Sequence, residues 1–149
     1  MIDSTHLHPM IVHFPIALLI VGFIFDIVSL FFRKEFFKWA GFTLLLLGAV
    51  GTIAALLSGE LAGSGIAEEG MLKQALDVHE AAAELTIWLV SITALFRILI
   101  VYLKKYSGFL KALSMILFLA SVVAIARTGY YGGELVFKHA AGVELNLGF

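Results

Sequence analysis

Cysteine is absent from the 149 residues. That excludes disulfides, thiolate metal sites, iron–sulfur clusters and covalent c-type haem attachment through C-x-x-C-H. Charge is scarce as well: 14% of residues are charged and 61% are hydrophobic. Soluble domains carry about 25% charged and about 45–50% apolar residues, so both departures make lipid the expected solvent. The mean hydropathy of +1.02 agrees. No Lys or Arg precedes the first apolar run, and a short apolar core with a small-residue cleavage site is missing. The run is therefore expected to be a permanent span and not a cleavable signal. Length allows one domain.

Other absences narrow the chemistry. No Ser–His–Asp arrangement, phosphate-binding glycine loop or pair of carboxylates at mid-bilayer is present. Most of each apolar run carries no ionisable residue, which argues against a transporter or proton pump, because those need polar relays at depth. The Glu-x-x-His pairs of a di-iron bundle are missing from every run. No nucleic-acid partner is expected.

What is present is a set of long apolar segments. Crossing the hydrocarbon core takes about 20 predominantly apolar residues. Spans are expected at about 10–32, 39–57, 81–103 and 112–127, giving an all-α, left-handed four-helix bundle in the membrane. Pro9 suits the first helical turn, where its missing N–H costs nothing. Residues 33–38 and 104–111 are tight basic turns, 58–80 is a longer segment with Gly and acids, and 128–149 reads as a polar tail.

Charge sets the orientation. Arg33, Lys34, Lys38, Lys104, Lys105 and Lys111 lie on one side, in the two tight turns. The other side has Lys73, Arg127 and Lys138 against Asp3, Glu60, Glu68, Glu69, Asp77, Glu80, Glu84, Glu134 and Glu144. The positive-inside rule then puts both termini in the periplasm of a bacterial inner membrane. Asp26 and Arg97 remain inside the spans, each seven residues before a cytoplasmic turn. A buried charge in lipid seeks a partner, so a direct pair joining helices 1 and 3 is one expectation. Snorkelling of Arg97 to the headgroups is the other.

All five histidines fall at the outer end. His6, His8 and His13 open helix 1, His79 stands at the mouth of helix 3, and His139 follows helix 4. His13 sits in the apolar stretch Met10-Ile11-Val12-His13-Phe14-Pro15-Ile16, where an unpaired imidazole is costly. Imidazoles at matched depth on two helices can hold one haem iron from both faces. The expected axial ligands are His13 and His79. His8 and His13, five residues apart, differ by about 140° and about 7.5 Å on a helix, so they point in different directions. His8 with His139 is the candidate second pair; one haem is preferred, since two crowd so small a bundle. Arg127 is placed to meet haem propionates, or else to neutralise the acidic outer face. Gly48, Gly51, Ala54 and Ala55 offer room for a macrocycle or for close helix contact. The rival is a zinc, copper or iron site built from His13, His79, His8 or His139 with Glu60, Glu80 or Glu134.

His8-Pro9-Met10-Ile11-Val12-His13-Phe14-Pro15, the Ser58-Gly59-Glu60 corner, His79-Glu80, and Thr128-Gly129 through Gly132-Gly133-Glu134-Leu135-Val136 with His139 carry a resemblance. Together they resemble a widespread bacterial family of four-helix membrane proteins catalogued as a domain of unknown function. The resemblance covers nearly the whole chain, and the His-Pro-x-x-x-His-Phe-Pro opening is fairly specific. It implies the topology and the importance of His8, His13, His79 and His139, and it leans toward redox chemistry. One departure stands out: His139-Ala140 occupies a place where His-Gly is expected.

The expected function is that of a membrane-bound b-type cytochrome, an electron carrier and not a stand-alone enzyme. It would exchange electrons at the periplasmic face with a cytochrome c, with quinol or with a respiratory complex. Two alternatives stay open: a non-catalytic accessory subunit of a larger membrane complex, and a membrane protein that binds zinc, copper or iron.

Overall fold

A computed structural model describes residues 4–32, 34–63 and 70–143, with side chains from Leu7 onward. Asp3, Arg33, Glu68, Glu69 and Glu144, counted in the charge asymmetry, lie outside the described residues, as does the side chain of His6. Four helices account for nearly all the rest: α1 Ser4–Phe31, α2 Glu35–Gly63, α3 Met71–Tyr102 and α4 Gly108–His139. Each is long and apolar enough to cross a membrane, and no strand occurs among the described residues.

The helices run beyond the apolar stretches that mark the spans. α1 begins before Pro9 and continues through Pro15. α4 carries on through Gly129, Gly132 and Gly133 to His139, because in a packed helix tertiary contacts outweigh the modest cost of interior glycines. It stops where Ala140 adopts a left-handed conformation, φ 52°. There the Ala140 and Ala141 amides return to the Val136 and Leu135 carbonyls.

Packing is closest between α1 and α2 and between α3 and α4, with the two pairs joined more loosely. α1 and α3 therefore face each other across the diagonal. Glycine lets α1 and α2 approach. A Cβ on Gly48 would stand 2.6 Å from Leu19 Cδ2, and one on Gly41 would stand 2.7 Å from Asp26 Oδ1. Gly51 lies against the buried Pro15 ring. Gly48 and Gly51 thus serve helix contact, since Leu19 and Pro15 already take up the space beside them.

The α3–α4 seam is built differently, from hydroxyls. Thr86 meets Thr128 at 2.8 Å and Thr93 meets Ser121 at 3.0 Å. On α3 the residues His79, Thr86 and Thr93 recur every seven positions, as do Ser114, Ser121 and Thr128 on α4. That heptad spacing keeps one stripe facing the neighbour along its whole length. Leu19, Leu45, Val90, Ala94, Phe118 and Ile125 fill the middle of the bundle. Large apolar side chains such as Phe14, Ile24, Val50, Trp88, Leu95 and Ile116 point outward, as expected where the surroundings are hydrocarbon.

Near the basic turns, Arg97 donates to both carboxylate oxygens of Asp26 across the diagonal. Its Nε donates to Ser114 Oγ. Both members of the pair are 0% exposed. The charge on Arg97 is met inside the bundle and does not reach for the headgroups.

Candidate functional site

At the opposite end the structure brings together His8 of α1 and His79 of α3. Their ring centres are 6.4 Å apart and the ring planes stand at 79°. Both side chains are half-buried.

Each imidazole rests in a small seat made by the neighbouring helix. His8 Nδ1 lies 3.0 Å from Ser58 Oγ. The Ser58 hydroxyl hydrogen is itself given to the Ala55 carbonyl at 2.9 Å, so its oxygen accepts and His8 Nδ1 donates. Beside it is Gly59, where a Cβ would come within 3.0 Å of His8 Cε1. His79 follows the same plan on α4. Its Nδ1 lies 3.2 Å from the Thr128 carbonyl oxygen, and a carbonyl can only accept. Gly132 provides the flat wall, a Cβ there standing 3.2 Å from His79 Cε1. The hydrogen-bond network thus assigns the proton to Nδ1 in both rings and leaves both Nε2 lone pairs without a partner among the described residues.

These seats account for two of the sequence motifs. Ser58-Gly59 forms the seat of His8, and Thr128 with Gly132 forms the seat of His79. A hydroxyl or carbonyl one turn from a glycine is a weak signal on its own, because the same residues occur at ordinary helix contacts.

The remaining candidates stand apart from this pair. His13, expected opposite His79, is exposed on α1, its Nδ1 turned back to the Pro9 carbonyl of its own helix. The five-residue step from His8 to His13 is the reason: with His8 facing the interior, His13 turns away from it. His139 is half-buried in the last turn of α4 and makes no ring contact with His8 among the described residues. Arg127 is exposed; its guanidinium lies over the Tyr131 ring at 5.3 Å, and its Nε donates to Tyr131 Oη at 3.2 Å. Glu134 pairs with Lys138 and accepts from Tyr130 Oη at 3.0 Å. Glu60 is exposed, and Glu80 lies beside Gly63. Among the described residues no three His, Asp or Glu side chains gather closely enough to hold a metal ion.

Residues 4–145 match the family model described as "Predicted membrane protein (DUF2231)". The chain belongs to this family. The match takes in all four helices and both histidine seats. No curated protein and no solved structure matches the chain.

Proposed function

We propose that the chain is a membrane-bound b-type cytochrome whose haem iron is held by His8 and His79. One observation carries this reading: two imidazoles from diagonal helices, each fixed through Nδ1, have ring centres 6.4 Å apart and no partner for Nε2 among the described residues. With metal–nitrogen bonds near 2 Å, two imidazoles on opposite sides of one ion have ring centres about 6 Å apart. The Nδ1 hydrogen bonds to a hydroxyl and a carbonyl are the usual outer support of metal-bound histidine, fixing both tautomer and ring orientation. A structural zinc site needs four protein donors. A haem needs two, since the porphyrin supplies the rest.

When bound, the haem supplies one-electron chemistry. The chain's own residues then have simple tasks. His8 and His79 would hold the haem iron, Ser58 and Thr128 would keep those rings in place, and Gly59 and Gly132 let them approach the helix backbone. His13 and His139 stand outside this pair. By the positive-inside rule the histidine end is periplasmic, with both termini there, in a bacterial inner membrane. Electrons would be exchanged with a periplasmic cytochrome c, quinol or a neighbouring respiratory complex.

The test is the absorption spectrum of the detergent-purified chain expressed with ample haem. A Soret band that shifts on reduction is expected, lost in His8→Ala and in His79→Ala and kept in His13→Ala. A colourless protein that carries copper, zinc or non-haem iron on elemental analysis would replace haem by a directly bound ion. A colourless, metal-free chain that co-purifies with a stable partner would instead support the accessory-subunit reading.

A further inference from the structure

The bundle end that carries the tight turns holds two adjoining clefts, far from the histidines along the helices. Ser29 of α1, Lys34 in the first turn, Glu35 and Lys38 of α2, Tyr106 in the last turn and Lys111 of α4 line an open cleft of about 240 Å³. Lys38 and Tyr106 also line an adjoining cleft of about 390 Å³, with Trp39, Val101 and Lys104. Lysines at such an end ordinarily spread outward into water. Here three cations converge on one aromatic ring: Arg97 Cζ lies 4.7 Å from the Tyr106 ring centre, Lys111 Nζ 5.8 Å and Lys38 Nζ 6.0 Å.

Two features show that this cluster is unbalanced. In the first cleft three lysines face one carboxylate, Glu35, which is already paired with Lys38 at 3.0 Å. The Asp26 carboxylate beneath the cleft is committed to Arg97. The Tyr106 hydroxyl oxygen is buried and has no hydrogen-bond partner among the described residues. Burial pushes its pKa up to about 12, so it stays neutral and brings no negative charge to offset the lysines.

We infer that this cleft binds a phosphate group, that of an anionic phospholipid headgroup, with Lys34, Lys38 and Lys111 as its cationic contacts and the Tyr106 ring gathering Lys38 and Lys111 beside it. Basic pockets between transmembrane helices are suited to such headgroups. Trp39 lines the adjoining cleft, and Phe36 and Phe109 are exposed in the first turns of α2 and α4 at the same end of the bundle; aromatic side chains favour the headgroup zone. Inorganic phosphate offers the same chemistry from water.

The experiment uses the full chain in neutral detergent, with Trp88→Phe leaving Trp39 as the reporter beside the cleft. Phosphatidylglycerol, phosphatidylcholine and sodium phosphate are titrated separately in mixed micelles. A saturable change in Trp39 emission with phosphatidylglycerol, and none with phosphatidylcholine, is expected. Lys34→Gln and Lys111→Gln should each weaken binding about fivefold, the loss of one near-surface cation. Tyr106→Leu removes the ring on which Lys38 and Lys111 converge and should weaken binding while helix content stays the same. Lys105→Gln removes an equal charge outside both clefts and should leave binding unchanged. Saturation by sodium phosphate alone, displacing the lipid, supports the site with a soluble source. Equal responses to both lipids with none to phosphate, or equal weakening by Lys105→Gln and Lys111→Gln, overturns it.

Discussion

The guanidinium of Arg97 grips both carboxylate oxygens of Asp26 across the diagonal of the bundle, with neither side chain reaching solvent. α1 and α3 have no close backbone contact, so this pair ties together helices that otherwise meet only through side chains. The His8–His79 pair repeats the diagonal tie at the other end.

Removing one partner of the ion pair strands a charge in a dry interior. Asp26→Asn should therefore destabilise the chain by about 3–5 kcal/mol, whereas the double change Asp26→Leu with Arg97→Met should recover most of that. Thermal unfolding in detergent, followed by circular dichroism, checks both. A single variant as stable as the parent would show that the pair does not hold the diagonal.

The α1–α2 approach gives a coupled prediction. Gly48→Ala forces a methyl against Leu19, whose Cδ2 lies 2.6 Å from the new Cβ position. Overpacking of this kind costs about 1–3 kcal/mol. Combining it with Leu19→Ala should cost less than the sum of the two, because the second change vacates the space the first needs. Strict additivity of the two unfolding shifts would count against direct contact.

The seats of the histidines can be altered without touching the imidazoles. Gly59→Val and Gly132→Val push branched side chains toward His8 and His79. Loss of outer support typically lowers metal affinity about 10–100-fold. With haem held as proposed, each variant should lose it on dilution faster than the parent while keeping its helix content. Unchanged retention would separate these glycines from the site.

A stabilising change follows from the end of α4. Ala140 holds φ 52°, a left-handed conformation that costs a residue bearing a Cβ about 1–2 kcal/mol and costs glycine little. Ala140→Gly should raise thermal stability by up to about 1 kcal/mol, with part of the gain offset by the greater freedom of glycine in the unfolded chain. A lower melting temperature would mean that the Ala140 methyl makes a contact worth more than the strain.

Much of the architecture is legible in the residues. Apolar length marks four membrane-crossing helices, and the equal seven-residue offsets of Asp26 and Arg97 from their turns indicate a shared depth, which leaves both a direct pair and snorkelling of Arg97 open; the structure shows the pair. The seat of His79 is half-legible, since Thr86 and Thr128 lie on heptad stripes that face each other. The partner of His79 is not legible. His8 and His13 both stand at the right depth, and depth depends only on position along the chain. Which of them faces inward depends on the rotation of α1 about its axis. An apolar sequence on every side leaves that rotation unmarked, because lipid and core reward the same side chains.

By itself, the order of residues determined that this chain crosses a membrane four times, with its lysine-rich turns at one end and its histidines at the other. Those features follow from the cost of placing charge and backbone polar groups in hydrocarbon, which is paid residue by residue along the chain. Only the tertiary structure decided that His8 and not His13 meets His79, that Gly48 and Gly51 are filled by Leu19 and Pro15, and that the lysines converge on Tyr106. Those outcomes depend on which helix faces which, and that is settled by close packing at glycines and by a few buried polar pairs.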